Sequence, residues 1–231
     1  FGDEDKPHAV FVVGTRHYSP ERSMPLLASH LEKLGFKTTI LECKGNPEKN
    51  PDGIEGLAAL DSADVAIFFV RFLTLPAGQL GFIDRYLKSG KPIVGFRTSS
   101  HAFAYPKGSE HFDWNDGFGL RALGVKYEIH IGGKTTVSIA ESGKKHPLLA
   151  RINFNKPRLA AGTLYLTTPP PNATVLLNGV GKSKKVGKVN NAFGTHVLTE
   201  TMEEPVAWVL ENEYGGKVFA TTLGHWETFN D

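Results

Sequence analysis

Four short apolar runs, separated by segments of helical periodicity, dominate the first hundred residues and constrain the fold more than any other feature. They occupy 8–13, 36–42, 64–70 and 93–96. Continuous apolar runs of this length are typical of strands that are covered on both faces. Between the first two runs, apolar residues recur three and four positions apart over 20–34, and Gly35 follows, which predicts a helix. This alternation predicts parallel strands joined by crossover helices, which is an α/β fold.

The rest of the chain is less regular. Helices are predicted over 54–60 and from Pro76 to Gly90, and further strands, some of them antiparallel, over 135–140, 163–167, 174–177, 205–210 and 217–223. Residues 102–134 are rich in aromatic residues, glycine and histidine, and we expect them to form a loop-rich excursion over the strand carboxyl ends rather than core. The expected architecture is a doubly wound, mostly parallel sheet with helices on both faces, in a single domain that spans 1–231.

The composition limits the partners of the chain. The 26 basic and 24 acidic residues leave a formal charge of +2, so we expect neither a nucleic acid nor a membrane as partner. The single cysteine, Cys43, excludes an internal disulfide and a multi-cysteine zinc site, and its place at the end of a predicted strand favours a packed thiol. The basic segment 181–185 is interpreted as a solvated turn rather than a phosphate site.

The expected location follows from two features. No apolar stretch approaches the roughly 20 residues that a membrane-spanning helix needs, so we expect a soluble protein. The chain begins at Phe1 rather than methionine and continues with the charged segment 2–6. A removed secretory signal accounts for such a start, which slightly favours an exported or periplasmic location over a cytoplasmic one.

Polar residues follow the apolar run at four separate strand ends. They are 14–18, Arg71, 97–101 and 224–227. Because the carboxyl ends of parallel strands gather at one edge of a sheet, we expect these segments to form one ligand site. A small molecule is therefore the expected partner.

Arg71, Arg97 and Ser100 are the candidates for ligand binding at the expected edge. Two arginines at neighbouring strand ends present charge-assisted donors to an oxygen-rich ligand, unless they form structural ion pairs instead. Ser100 adds a neutral donor beside them.

The histidines of the same segments are candidates for proton transfer. His101 and His225 suit acid/base chemistry, although each could instead cap a helix or bind a buried carbonyl. The carboxylate of Glu227 is expected to fix the tautomer of His225. His130 belongs to the excursion and contacts the ligand if that segment folds over the site, whereas residues 17–18 are interpreted as loop packing.

Three stretches resemble a known family, namely 63–72 with the helix that begins at Pro76, 90–103, and 205–225. They are similar to the ThuA-like (trehalose utilisation) family of the class I glutamine amidotransferase-like superfamily. With weaker matches at 12–14 and 146–149, the resemblance covers nearly the whole chain. It implies a flavodoxin-like sheet and a function in carbohydrate metabolism.

The wider superfamily carries Gly-x-Cys where the fourth strand ends and His-x-Glu after a late strand. This chain resembles that pattern at 95–97 and 225–227, but Arg97 takes the position of the cysteine. A guanidinium stays protonated and cannot attack a carbonyl, so glutamine hydrolysis through a thioester is not expected. A serine of 99–100 next to a histidine keeps serine catalysis as a minor alternative, although the local order is not a G-x-S-x-G elbow.

Three classes of function fit these residues. The resemblance implies a protein that binds or processes a small carbohydrate or keto-sugar without a cofactor. The second class is a zinc-dependent hydrolase or lyase that uses His101, His130 and His225 with Glu227, although these residues lack a compact ligand spacing and two arginines would repel a cation. The third is a noncatalytic ligand-binding module that keeps the pocket. A homo-oligomer is compatible with each of them.

Overall fold

The structure is a computed structural model that describes residues 6–43 and 53–230. The described strands are β1 (His8–Gly14), β2 (Lys37–Glu42), β3 (Val65–Val70), β4 (Ile93–Phe96), β5 (His130–Ile131), β6 (Lys134–Ile139), β7 (Arg158–Ala161), β8 (Leu164–Tyr165), β9 (Thr174–Lys182), β10 (Gly187–Asn191), β11 (Gly194–Leu198), β12 (Thr201–Glu211) and β13 (Lys217–Thr221). The described α-helices are α1 (Pro20–Lys33), α2 (Ala77–Lys88) and α3 (Trp114–Phe118). Short 3₁₀ turns occupy Leu57–Ser62, Arg97–His101, Glu141–Gly143, Pro147–Leu149 and Trp226–Asn230, and a π turn occupies Gly119–Leu123.

Nine of the described strands form one mixed sheet in the order β2-β1-β3-β4-β13-β12-β9-β6-β7. The first five strands in this order pair in parallel, and the pairs from β13 to β7 are antiparallel. The α/β fold and the four early strands are confirmed, although the parallel part is smaller than we expected. Separate two-stranded sheets join β10 to β11 and β5 to β8. The sequence does not predict β5, β7, β10 and β11, because they are short or largely polar.

Both faces of the parallel part are covered by apolar clusters. Along β1, Val10 and Val12 pack on the face that carries α2, whereas Phe11 and Val13 pack on the opposite face. There they contact the cluster that contains Met24 of α1, which is fully buried. Because side chains alternate along a strand, a continuously apolar β1 requires this cover on both sides. A third cluster lies in the antiparallel part of the sheet.

The segment 102–134 contributes more to the core than we expected. Phe118 of α3 is fully buried, and Leu123 of the π turn is 3% exposed. The indole Nε1 of Trp208 on β12 donates a hydrogen bond to the carbonyl of Leu123 at 2.9 Å. Only the later part of the segment, which includes Tyr127 and His130, lies over the strand carboxyl ends. Burial of aromatic and aliphatic side chains explains why the first part packs on the sheet rather than forming a loop.

Some expectations concern segments beyond those described. The N-terminal segment 1–5, which contributed to the expectation of export, lies outside the described residues, as does 44–52. Among the helices of the described chain, none is long and apolar enough to cross a membrane. Cys43 is 2% exposed, and its Sγ donates to the carbonyl of Gly53 at 3.2 Å, which confirms a packed thiol.

We predict that Gly95→Ala lowers the free energy of unfolding by about 1–3 kcal/mol, the usual cost of overpacking. A Cβ at Gly95 on β4 would overlap the side chain of Leu123, which is held in the core. Chemical denaturation measures the change. Gly78→Ala is the matched control, because a Cβ there meets nothing within 4 Å and alanine is a better helix former in α2. Equal stability of the two variants would contradict the close packing at β4.

Candidate functional site

The loops after β1, β3, β4 and β13 meet at one edge of the sheet, because these strands are parallel neighbours. Tyr18 after β1 lies edge-on to His225 after β13, with ring centroids 5.5 Å apart. Arg97 after β4 donates a hydrogen bond to a backbone carbonyl that follows β13. After β3, the backbone N–H of Phe72 donates to the carbonyl of His101 at 3.0 Å. Segments distant in sequence therefore form one surface.

Backbone strain is concentrated at this edge. The non-glycine residues with positive φ in the described chain are Tyr18 (70°) and Ser19 (56°) after β1, Phe72 (49°) after β3, and Arg97 (43°) after β4. A left-handed backbone costs a non-glycine residue about 1–3 kcal/mol, so it persists only where the surroundings enforce it, and such residues cluster at functional sites. The strain marks this edge as a candidate site independently of the chemistry of its side chains.

Arg97 lies beneath the surface rather than on it, with 2% of the residue exposed. Nη1 donates to the carbonyl of Thr222 at 2.5 Å, and Nη2 donates to the carbonyl and Oγ1 of Thr163 at 3.2 and 3.0 Å. The guanidinium also lies over the rings of Tyr18 and Tyr165, 3.9 and 4.7 Å from their centroids. The direct contact with a ligand that we expected from the sequence is therefore not favoured, because protein carbonyls and rings already surround this group.

The charge of Arg97 is held without a carboxylate among the described residues that contact it. Carbonyl dipoles and aromatic faces stabilise a cation, and a desolvated cation–π contact contributes on the order of 2 kcal/mol. Nε of Arg97 has no hydrogen-bond partner among the described residues and is buried. The positive charge is thus only partly compensated, and it acts on the titratable groups around it.

Tyr18 is the group most directly affected by this charge. Burial opposes ionisation of Tyr18, but the charge of Arg97 and side-chain hydrogen bonding to Tyr165, Arg97 and Thr163 outweigh it, so the pKa of Tyr18 lies below its ordinary value. Tyr18 also contacts His225, as described above. The sequence interpretation of Tyr18 as loop packing missed this position, since no local pattern indicates which side chain covers Arg97.

His101 is a buried imidazole that stays uncharged near neutral pH. Burial, together with the positive charges of Arg71, His130, Arg97 and His17, holds the pKa of His101 well below its ordinary value. Its surroundings are aromatic, since the ring lies 4.4 Å from Tyr127 and 5.0 Å from Phe72, measured between centroids. A neutral histidine of this kind exchanges hydrogen bonds with a ligand without carrying charge.

The hydrogen bonds of Ser100 indicate the tautomer of His101. The hydroxyl of Ser100 donates to the carbonyl of Arg97 at 3.3 Å, and its Oγ lies 3.2 Å from Nδ1 of His101. With the one hydroxyl proton of Ser100 on the carbonyl of Arg97, Nδ1 of His101 is the donor in this second contact, and Nε2 is the acceptor. By contrast, Oγ of Ser99 donates to the carbonyl of Phe68 at 2.9 Å and accepts from a backbone N–H of β3, so it stabilises the sheet.

Tyr127 and Tyr165 both contact His101 and His130 through their rings. Burial raises the pKa of Tyr127 to about 12, and its hydroxyl lies 2.6 Å from Nδ1 of His130. Tyr165 is 2% exposed, and its ring lies 5.8 Å from His130 and 6.0 Å from His101. Burial, then the charges of Arg97 and Arg71, lower the pKa of His130. Neither tyrosine was singled out from the sequence: a strand was predicted over 163–167, but no local pattern shows that Tyr165 packs against the histidines.

His225 and Glu227 contact each other through the backbone. His225 is half-buried and Glu227 is exposed. The backbone N–H of Glu227 donates to Nδ1 of His225 at 3.3 Å. Nδ1 is therefore an acceptor, and the proton of the uncharged ring lies on Nε2. The tautomer of His225 is thus fixed by the N–H of Glu227, which corrects the expectation that its carboxylate does so.

Arg71 and the β10–β11 hairpin complete the rim. The guanidinium of Arg71 lies over the ring of Phe72, 4.3 Å from its centroid. Phe193, in the turn between β10 and β11, stacks on Phe72 at 6.5 Å and meets Tyr127 edge-on at 4.8 Å. The hairpin therefore covers one side of the site. The sequence does not predict it, because its exposed polar strands have a weak apolar pattern.

The histidines do not fit a zinc site. Among the described residues there is no group of three or more His, Cys, Asp and Glu side chains that could hold a metal ion. The neighbouring arginines also make the site unfavourable for a cation.

The comparisons with known proteins agree with this fold. The matching family model is ThuA, described as trehalose utilisation, and it matches residues 9–230. No curated protein matches the chain.

Similar solved structures include a ThuA-like protein from Parabacteroides merdae, which is 13% identical with a TM-score of 0.62 and covers 96% of this chain and 80% of its own. A ThuA-like protein from Bacteroides uniformis is 16% identical with a TM-score of 0.57, covering 98% and 86%. A cytoplasmic protein from Salmonella typhimurium is 12% identical with a TM-score of 0.55, covering 95% and 90%. At these identities the similarity shows the fold alone.

We predict that Arg97→Met lowers the free energy of unfolding by about 2–4 kcal/mol, because it leaves the buried carbonyls of Thr222 and Thr163 without their donor. Thermal denaturation should show a fall of roughly 5–15 °C. Arg85→Met is the control, since Arg85 forms an exposed ion pair with Asp61 and its loss should cost less than about 1 kcal/mol. An Arg97→Met variant as stable as the control would show that the guanidinium does not hold the site together.

We also predict that stability falls as the pH drops below about 6.5, the pKa of histidine in an unfolded chain. There the unfolded state takes up a proton that buried His101 does not, since its pKa is lowered in the folded state. The stability from His101 is therefore present above pH 6.5 and lost on acidification. Urea denaturation at several pH values measures the free energy of unfolding. This free energy should depend less on pH in His101→Gln than in the wild-type protein. Ser100→Ala keeps the buried ring of His101 and should show the wild-type dependence. An unchanged slope in His101→Gln would contradict this assignment.

Proposed function

The chain belongs to the ThuA family, and on this premise we propose that it binds and processes a small carbohydrate or its keto derivative by acid/base chemistry. The observation that carries the proposal is the pairing of two histidines with opposite hydrogen-bonding polarity at one sheet edge. Nε2 of His101 is an acceptor when Ser100 gives its proton to the carbonyl of Arg97, and Nε2 of uncharged His225 is a donor because Nδ1 accepts from a backbone N–H. A keto-sugar needs such a pair, because its enolisation requires one group to remove a proton and another to supply one.

The proposed step breaks the C–H bond next to the carbonyl of the sugar. The proton passes to Nε2 of His101, and the electron pair moves onto the carbonyl oxygen, which takes the Nε2 proton of His225. The lowered pKa makes His101 a weak base, so stabilisation of the developing negative charge matters more here than basicity. Fixed cations near that oxygen supply this stabilisation in a site of low dielectric.

The remaining candidates have supporting roles in this proposal. Arg71 and His130 at the rim bind ligand oxygens, and Ser100 holds His101 in its tautomer. Arg97 is buried and does not contact the ligand, but its charge lowers the pKa of Tyr18. This lowered pKa favours proton exchange between Tyr18 and the neighbouring His225. Glu227 contributes its backbone N–H.

Glutamine hydrolysis is not part of the proposal. Arg97 has the strained backbone, at the exit of β4, that is typical of a nucleophile position, with φ of 43°. Its guanidinium is a permanent cation, so it cannot attack a substrate. It is also hydrogen-bonded to carbonyls, and breaking these bonds would cost free energy. We therefore expect no glutaminase activity.

Exchange of substrate hydrogen for solvent deuterium tests the proposed step. We predict that the protein catalyses exchange at the carbon next to the carbonyl of a keto-sugar, and that His225→Ala lowers the rate about 100-fold or more. NMR of a panel of keto-sugars in D2O measures it. Tyr18→Phe should lower the rate less, because the ring remains over Arg97.

His146→Ala is the control for this experiment, since His146 lies beside the amino-terminal end of β4, away from the site. It should leave the exchange rate unchanged. Ligand binding without exchange in the wild-type protein would instead favour a noncatalytic binding module. Exchange at the same rate in wild type and His225→Ala would reject the proposed role of His225.

A further inference from the structure

A groove of about 1110 Å³ runs from the rim of the site beneath the β10–β11 hairpin. At one end it is lined by Tyr127, His130 and Phe193, which also belong to the site described above. At the other end it is lined by the turn 132–134 and by the loop 182–185. Pockets for drug-sized ligands are roughly 300–1,000 Å³, so this space suits a ligand longer than one sugar ring.

The charges along the groove are all of one sign. Lys134, Lys182, Lys184 and Lys185 line it, and the residues that line it include no aspartate or glutamate. This contrasts with the whole chain, whose 26 basic and 24 acidic residues nearly balance. Unpaired cations in a concave surface raise the local concentration of anions. The basic segment that the sequence presents as a solvated turn therefore forms one wall of a cavity.

Two glutamates outside the lining of the groove contact other side chains. Oε1 of Glu203 accepts from the side chain of Asn178 at 2.9 Å, and Oε2 of Glu128 lies 3.7 Å from Nδ1 of His196. Glu200 contacts the lysine loop through its backbone carbonyl, which accepts from the N–H of Ser183 at 2.9 Å. None of these glutamates lines the groove, so no lining residue offsets the lysine charges.

The rest of the lining suits a carbohydrate. The amide of Asn190, the ring of Phe193 and apolar side chains such as Val180 and Leu198 also line the groove. Sugars have both hydroxyl edges and apolar faces, so they match a groove with polar rims and an apolar floor. The turn at Gly132 approaches the backbone of Lys182 so closely that a Cβ would contact its carbonyl at 2.9 Å, which defines the wall.

We infer that the ligand is an acidic oligosaccharide, whose reacting sugar lies among His101, His130 and His225 and whose remaining sugars carry carboxylate or sulfate groups along the lysines of the groove. This inference rests on the proposed function, because it assigns a substrate class to the same site. His130 lines the groove, and its pKa, like that of His101, is lowered first by burial and then by the positive charges of Arg71 and Arg97. An anionic ligand compensates these charges, whereas a neutral sugar does not.

Isothermal titration with matched trisaccharides tests the inference. The probes are trigalacturonate, the neutral galactose trisaccharide, and the same neutral trisaccharide carrying one sulfate. We expect the acidic probes to bind about five- to tenfold more tightly than the neutral one at low salt, an advantage that shrinks at 0.5 M NaCl. The stronger of the two acidic probes identifies carboxylate or sulfate as the preferred group.

Charge-neutral variants locate the binding. Lys182→Gln/Lys184→Gln should abolish the preference for acidic probes, and Lys33→Gln/Lys107→Gln, which removes two exposed lysines elsewhere, should keep it. Equal binding of neutral and acidic probes by the wild-type protein would overturn the inference, as would an unchanged preference in the groove variant. Binding of a polyglutamate peptide as tightly as trigalacturonate would also overturn it, because it would indicate a general anion surface.

Failure of this inference is distinguishable from failure of the proposed function. In one outcome, deuterium exchanges into a neutral keto-sugar at a rate that Lys182→Gln/Lys184→Gln does not change, and acidic trisaccharides bind no better than neutral ones. This outcome rejects an acidic ligand in the groove and keeps the catalytic proposal. Lysine-dependent binding of acidic trisaccharides, with no exchange into any keto-sugar, supports the groove and rejects the catalytic step. His225→Ala should weaken exchange in every case where the proposed function holds and leave the preference for acidic probes intact.

Discussion

The burial of the Arg97 charge is the constraint on which the arrangement of this site depends. A guanidinium with so little exposure needs partners for its donors and its charge, and here they come from three parts of the chain. The carbonyl of Thr222 follows β13, Thr163 precedes β8, and the ring of Tyr18 follows β1. One side chain therefore joins the parallel and antiparallel parts of the sheet, and it does so with carbonyls and rings instead of a carboxylate.

The electrostatic character of the site follows from that choice of partners. Carbonyls and aromatic faces stabilise a cation without cancelling it, so its field reaches the neighbouring groups. It lowers the pKa of Tyr18 against the effect of burial, and it adds to burial, the larger cause, in lowering the pKa of His101 and His130. A neutral imidazole of defined tautomer and a phenol that ionises more readily are suited to moving protons. The same field, extended by the lysines of the groove, favours a ligand that carries negative charge.

Much of the fold could be predicted from the sequence, and less of the site. Continuous apolar runs identified β1, β3 and β4, because burial on both faces leaves a strong local signal. The segment 102–134 was expected outside the core, yet Phe118 and Leu123 lie within it, since an irregular aromatic segment has no periodicity to reveal its packing. Tyr165 was missed for a related reason: β8 has two residues, and its role depends on which strands lie beside it.

The sequence by itself determined the parallel arrangement of the early strands and hence the edge at which Arg71, Arg97, His101 and His225 would gather. It also put Arg97, a permanent cation, directly after the fourth apolar run, where the resemblance to the wider superfamily led us to expect a nucleophile. Only the tertiary structure decided that Arg97 lies beneath the surface and that the lysines of 182–185 line a cavity. Hydrophobic periodicity is a local property that specifies elements, whereas the orientation and solvation of a polar side chain depend on partners brought from distant segments.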